Sequence, residues 1–324
     1  MHKCKEMSLL TFFKYFLIIH IFTIFKIIES LFKLIFSNKA KKVRGHLVLI
    51  TGGSRGIGRS LAFRFAQEGC NIAIVSRDIK IGQQVANEIM KKFKNVQAKA
   101  FSCDVSKVDQ VKKLKIDIEK NFGSVDILVN NAGIVEANFS LLEGEDEFYQ
   151  NLMDVNATSY FWTTRAFLPG MIRQKRGHIV GISSLAAFYS LVPSVAYNTS
   201  KVTNQGFMNN LKLELHLLGF GDFIKTTCVF PGLVDTNDKF INFFKKFYHK
   251  LSITAHDPEY IADVVVKGIL CDKEDIYVPL SDAIYPLLLR FYPTLSQVKV
   301  HRYGLKEENS EEFYKMKSAQ YFKE

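Results

Sequence analysis

The chain has 324 residues, enough to bury a sizeable core on length alone, which excludes a small disulfide scaffold. Hydrophobic residues make up 48% and charged residues 23%, an ordinary globular balance that argues against wholesale disorder and against a multi-spanning membrane protein. The unusual quantity is a net charge of +11, which by itself points to an acidic partner such as nucleic acid or an anionic membrane.

The location of the charge decides between them. Residues 1–44 carry nine cations (Lys3, Lys5, Lys14, Lys26, Lys33, Lys39, Lys41, Lys42 and Arg44) against Glu6 and Glu29, so +7 of the +11 lies in this stretch. Residues 8–36 are rich in Phe, Ile and Leu, but Lys14, Lys26, Glu29 and Lys33 interrupt them. The longest uncharged run, Tyr15–Phe25, would span about 16 Å as a helix, roughly half a bilayer core. On a helical wheel the four charged residues share one half of the circumference, while Phe13, Leu17, Ile21 and Ile24 lie on the other. That pattern predicts a helix lying in the membrane interface or inserting from one side, with a full span as the alternative. No small-residue cleavage site follows, as a signal peptide would need; the basic KAKKVR (39–44) comes instead and marks a cytosolic side. Cations interleaved with membrane-type apolar residues offer no groove-reading or base-stacking motif, so no nucleic-acid partner is expected. The five cysteines, Cys4, Cys70, Cys103, Cys228 and Cys271, are scattered without CxxC spacing and read as reduced thiols, with no metal site expected; Cys4 is a candidate for lipidation.

From His46 the pattern changes to short apolar runs alternating with amphipathic stretches. HLVLI (46–50), NIAIVS (71–76), QAKAFSC (97–103), DILVN (126–130), HIVGIS (178–183), IKTTCVF (224–230) and DIYVP (275–279) predict seven strands separated by helices. Such alternation predicts an α/β fold: a doubly wound, Rossmann-type parallel sheet in a single domain over 46–280, preceded by the hydrophobic helix in 1–45. The remainder, 281–324, reads as an apolar extension broken by Pro286 and Pro293, then a charged tail.

Thr51-Gly52-Gly53-Ser54-Arg55-Gly56-Ile57-Gly58 follows the first strand and opens a helical pattern. A glycine-rich turn there lets the backbone approach a pyrophosphate and aims helix N-terminal N–H groups at it, which implies a dinucleotide. At the end of the second strand an acidic residue would bind the adenosine ribose; Ser76-Arg77 stands there instead. A guanidinium can fork onto a phosphate, and Arg55 in the glycine loop adds a second charge, so the expected cofactor is NADP(H) rather than NAD. Asp78, one residue further on, is read as a helix N-cap. Asp104-Val105 after the third strand and Asn131-Ala132-Gly133 after the fourth fall along the same groove, with Asp104 suited to the adenine amino group.

Ser184, Tyr197 and Lys201, with Asn156 upstream, are the candidate catalytic group. Tyr197 and Lys201 are four apart in a helical stretch and share one face. A lone YxxxK is weak in a chain with 13 tyrosines; Ser184 at the end of the fifth strand strengthens it, because its hydroxyl can meet the phenol at one substrate oxygen.

TGGSRGIG, CDV, NNAG, DVNA, ISS, YNTSK and PGLVDT, in this order and spacing, resemble the short-chain dehydrogenase/reductase family over about residues 43–280. The resemblance implies that Tyr197 is the acid/base, that Ser184 polarises the substrate carbonyl, and that Lys201 holds the nicotinamide ribose and lowers the tyrosine pKa. It also implies that Asn156 positions a water in a proton relay, and that Pro231, Gly232, Val234 and Thr236 flank the nicotinamide. ESLFKLIF, KKVRGHLVLITG, AFLPGMI, GHIVGISS and a late IYVP resemble the membrane-bound branch containing epidermal retinal dehydrogenases, retinol dehydrogenase 10 and lipid-droplet 17β-hydroxysteroid dehydrogenases. That implies a retinoid, steroid or related lipophilic alcohol or ketone as substrate, and residence at the endoplasmic reticulum or lipid droplet with the catalytic domain facing the cytosol. Ser76, where NAD-using members carry an acid, and the Ala186-Ala187 pair depart from that branch, and the first leaves the reaction direction open. The alternatives are a 3-ketodihydrosphingosine-type reductase and a non-catalytic membrane or lipid-droplet binding protein. A homodimer or homotetramer, both common for the fold, stays open.

Overall fold

In the computed structural model each of the seven apolar runs forms a strand: β1 (Leu47–Thr51), β2 (Asn71–Ser76), β3 (Ala98–Ser102), β4 (Ile127–Asn130), β5 (Gly177–Ile182), β6 (Ile224–Pro231) and β7 (Asp275–Val278). The structure describes residues 40–135, 141, 144–189, 194–236, 241–242 and 254–289, with positions 14, 16–18, 20, 21 and 24 of the N-terminal segment. All neighbouring strands pair in parallel, in the order β3-β2-β1-β4-β5-β6-β7.

The helices are α1 (Gly56–Gln67), α2 (Ile79–Lys92), α3 (Val108–Phe122), α4 (Asp146–Met153), α5 (Ser159–Arg173), α6 (Val195–Leu217), α7 (Pro258–Leu270) and α8 (Leu280–Leu289). Because strand side chains alternate, Val48 and Ile50 of β1 enter one core with Leu61 and Phe65 of α1, Ile89 of α2 and Ile261 of α7. Leu47 and Leu49 enter the other with Ile118 of α3, Phe167 of α5 and Leu215 of α6. Both faces of β1 are therefore dry, which is why its sequence is a continuous apolar run. Each fully buried aliphatic or aromatic side chain contributes roughly 1.5–3 kcal/mol, so the two layers hold the sheet from both sides. Edge strand β3 differs: Lys99 and Ser102, on opposite faces, are exposed.

Asp78 caps α2, its carboxylate accepting from the Lys80 and Ile81 N–H groups at 2.9 and 3.2 Å, as its position after β2 predicted. By contrast α8 runs through Pro286, so the apolar extension is not broken there. Pro293, Leu295 and the charged tail lie outside the described residues.

The chain divides into two compact units, 1–41 and 42–324. In the first, Leu17, Ile21 and Ile24 are helical and each more than half exposed. Cys4, Phe13, Lys26, Glu29 and Lys33 lie outside the described residues. Among the described residues no helix is long and apolar enough to cross a membrane.

Candidate active site

The strand order reverses between β1 and β4: the chain goes from β1 to β2 and β3 on one side, then returns to β4 on the other. Loops leaving the carboxyl ends of β1 and β4 therefore diverge, and the crevice between them is where ligands of such sheets bind. The loop after β1 holds Gly52, Ser54 and Arg55, and Gly56, Ile57 and Gly58 begin α1. Gly52 has φ +64, and a Cβ on Gly58 would run into the Gly52 carbonyl and Asn131 Nδ2. Both positions thus need glycine for separate reasons, one conformational and one steric. The N-cap Arg55 gives α1 no side-chain cap, and no acidic residue stands in its first turn. Unlike α2, this helix start keeps its N–H groups and partial positive charge available to an anion. A dinucleotide phosphate fits that cradle.

The predicted loops meet through hydrogen bonds. Asn131 Nδ2 donates to the Thr51 and Gly52 carbonyls at 2.9 and 3.2 Å, and the Thr51 hydroxyl accepts from the Asn131 and Ala132 N–H groups at 2.9 and 3.0 Å. The sequence reading missed Thr51; its place at the carboxyl end of β1, directly before the glycines, was the available signal. Ser54 and Ser76 pair through their hydroxyls at 3.0 Å, joining the glycine loop to the end of β2, and the Arg55 and Arg77 side chains are both exposed there. Asp104 Oδ1 accepts from the Ser106 N–H and hydroxyl at 3.0 and 2.7 Å, so this oxygen already closes a local turn before α3. The Val105 side chain is buried in the core. Pro231 at the end of β6 and Val234 beyond it are buried, and Thr236 comes so near the glycine loop that a Cβ on Gly56 would lie 3.1 Å from its Cγ2.

The four catalytic candidates come together at the carboxyl ends of β4 and β5. A π-helical turn, Asp154–Thr158, carries Asn156 between α4 and α5. Asn156 grips the backbone of Ile134, accepting from its N–H at 2.7 Å and donating to its carbonyl at 2.9 Å. Its Nδ2 also donates to Ser200 Oγ at 3.1 Å, and Ser200 in turn donates to the Tyr197 carbonyl at 2.7 Å. Ser200 is a second residue the sequence reading missed; its place directly before Lys201 was the only hint. A Cβ on Gly133 would lie 3.5 Å from Asn156 Oδ1 and 3.7 Å from Lys201 Nζ, so the loop after β4 passes against the catalytic face.

Lys201 is buried, donates to the Ile182 carbonyl at 3.1 Å, and holds Nζ 5.5 Å from the centroid of the Tyr197 ring. Burial lowers its ammonium to about 8. Tyr197 moves upward because burial disfavours the phenolate, while its hydrogen bond with Ser184 pulls the other way. That direction differs from the expected depression of the phenol: desolvation is the larger effect here. Ser184 N-caps the short turn Leu185–Ala187, its oxygen accepting from the Ala186 N–H at 3.1 Å. Beside Tyr197 lies a small depression lined by Leu141, Phe148, Tyr149, Leu152, Ser194, Val195 and Ala196.

A doubly wound sheet with a glycine-cradled crevice and a Ser-Tyr-Lys cluster at its edge defines a dinucleotide-dependent oxidoreductase. The short chain dehydrogenase family matches residues 46–240. Estradiol 17-beta-dehydrogenase 11 of Mus musculus is 37% identical over 282 residues, covering 86% of this chain and 91% of the relative. 17-beta-hydroxysteroid dehydrogenase 13 of Homo sapiens is 32% identical over 286 residues, covering 88% and 92%. A solved metagenomic short-chain oxidoreductase in complex with NADP superposes with a TM-score of 0.61 at 28% identity, over 73% of this chain and 98% of that one. The chain belongs to the short-chain dehydrogenase family, and it is an oxidoreductase acting on hydroxyl groups.

Proposed function

We propose that this enzyme interconverts a lipophilic alcohol and its ketone or aldehyde, a retinoid, steroid or related lipid, with NADP(H). The observation that carries the reading is the convergence of Ser184, Tyr197 and Lys201, with the Tyr197 phenol hydrogen-bonded to Ser184 and the buried Lys201 ammonium over its ring. The nicotinamide, when bound, supplies or takes the hydride. Tyr197 gives its proton to the substrate oxygen in reduction and recovers one in oxidation. Ser184 donates a hydrogen bond to the same oxygen, which stabilises charge as it develops there. Lys201 would hold the nicotinamide ribose, and its ammonium favours the phenolate when the phenol gives up its proton. Asn156 braces the Ile134 backbone and Ser200, and with them the relay that returns the proton.

For the cofactor, the uncapped start of α1 suits the pyrophosphate, and Arg55, Arg77 and the Ser54–Ser76 hydroxyl pair suit a 2′-phosphate. The solved relative that binds NADP supports the same choice. For the substrate, the steroid dehydrogenase relatives support a lipophilic molecule. The exposed apolar face of the N-terminal helix, flanked by cations in the sequence, supports attachment to an endoplasmic reticulum or lipid-droplet surface, where such substrates dissolve. A panel of retinoids, ketosteroids and sphingoid ketones, assayed with NADPH and NADH on membrane fractions, tests the reading. Turnover of a retinoid or steroid with NADPH preferred is expected; turnover of sphingoid ketones alone would favour the 3-ketodihydrosphingosine-type reductase, and none at all a binding protein.

A further inference from the structure

Past Pro231 the sheet ends, and the strip Gly232–Thr236 must be held by something other than a strand neighbour. Its hydrogen bonds lead largely to one residue. His256 donates its N–H to the Leu233 carbonyl at 2.9 Å and accepts from the Asp235 N–H at 2.9 Å, forming an isolated parallel bridge with Val234. The His256 imidazole, in turn, has its Nε2 2.8 Å from Asp282 Oδ2 in the first turn of α8. The other carboxylate oxygen of Asp282 accepts from the Ser281 hydroxyl at 3.1 Å. The same carboxylate lies against the strip itself, since a Cβ on Gly232 would be 3.1 Å from Asp282 Oδ2, and the Gly232 N–H donates to the Val278 carbonyl at 2.9 Å. On its far side the strip reaches the glycine loop through Thr236 and Gly56.

We propose that His256 and Asp282 are a positioning pair that sets how deeply the strip Gly232–Thr236 sits over the nicotinamide end of the cofactor groove. Neither residue touches the catalytic group. The pair acts through backbone: Asp282 fixes the imidazole, the imidazole fixes the His256 peptide groups, and these fix Leu233, Val234 and Asp235. Both side chains are partly shielded, at 21% and 32% exposure, so their hydrogen bond is screened less than that of a fully exposed pair. The proposal rests on the reading of this groove as an NADP(H) site, and its test separates the two.

The test uses the full-length protein and two readouts that need no turnover: backbone hydrogen exchange over residues 232–236, and NADPH affinity by quenching of protein fluorescence. Asp282→Ala and His256→Ala should each speed exchange of the Asp235 amide and weaken NADPH binding by about tenfold, in the range of one charge-assisted hydrogen bond. kcat at saturating NADPH should stay within about twofold, because the reacting groups are untouched. Asp282→Asn keeps an acceptor for an imidazole N–H and should restore most of the affinity. The double variant should be no weaker than the weaker single one, since both break the same contact. Unchanged exchange and affinity in the single variants, or additive losses in the double variant, would overturn the pair's role. Wild-type protein that binds neither NADPH nor NADH would instead overturn the cofactor reading, and with it the purpose assigned to the pair.

Discussion

Lys201 holds its ammonium over the Tyr197 ring, 5.5 Å from the centroid, and both side chains lie on one face of α6. Four residues of helix bring them together, and burial then acts on them in opposite directions: the ammonium goes down to about 8 and the phenol goes up. At neutral pH the pair is therefore a charged lysine beside a neutral phenol, the state a reductase needs before it protonates a carbonyl.

The lysine has a consequence for stability against pH. Its folded value lies below its unfolded one, so between about pH 8 and the ordinary lysine value the unfolded chain binds more protons. Stability is predicted to rise with pH through that window. Tyr197 is shifted upward, so its contribution is kept below the ordinary tyrosine value near 10 and is lost only above it. Urea melts of wild type and Lys201→Met at several pH values from 7 to 10 should show the rise in the first and a flatter line in the second. The same titration should lower reductive kcat/KM above about pH 8, as Lys201 loses the charge proposed to anchor the ribose.

Cofactor choice is predicted to follow Arg77. Arg77→Asp replaces the proposed phosphate partner by a charge that repels a 2′-phosphate and suits ribose hydroxyls. The ratio of kcat/KM for NADPH over NADH should fall by about 10- to 100-fold, the worth of one or two charge-assisted hydrogen bonds. Initial rates with each cofactor measure it; an unchanged ratio would count against the phosphate assignment.

Gly58→Ala is predicted to disable the phosphate cradle. The new methyl would meet the Gly52 carbonyl, which is backbone and cannot step aside, so the turn must open. A loss of about 1–3 kcal/mol in stability is expected. NADPH should also no longer raise the melting temperature, because the distorted turn cannot bind it. Thermal melts with and without NADPH check both.

Membrane attachment is predicted to depend on the apolar face of the N-terminal helix. Leu17→Glu and Ile21→Glu place charges on two of its exposed apolar positions. Co-flotation with neutral vesicles should drop strongly in the double variant, and 0.5 M salt should leave wild-type flotation largely intact, since apolar burial rather than charge holds the helix.

Much of the sheet was readable in the sequence because the central strands are buried on both faces, so IAIV of β2 and HIVGI of β5 appear as nearly continuous apolar runs. The glycine loop was readable because part of its constraint is local: Gly52 is required by its own φ and Gly58 by the Gly52 carbonyl. The π-turn around Asn156 was not, since a one-residue change in helical winding leaves the side-chain pattern almost untouched. Nor was Asp104 as a turn-former, because a strand-end aspartate suits a ligand and a local N–H equally well. His256 and Asp282 lie 26 positions apart on elements with no shared motif; only the fold sets the imidazole against the carboxylate. Pro286 misled in the other direction: it reads as a break in the apolar extension, yet it lies within α8.

The most direct measurement compares wild type with Tyr197→Phe, which removes only the phenolic oxygen. Both proteins are assayed for NADPH consumption with retinal and a ketosteroid, and for NADPH binding in the absence of substrate. The variant is expected to bind NADPH with near wild-type affinity and to lose about 10²- to 10⁴-fold in kcat/KM, the range of general acid catalysis. Equal turnover by the two proteins would contradict Tyr197 as the proton donor and with it the mechanism built on this cluster.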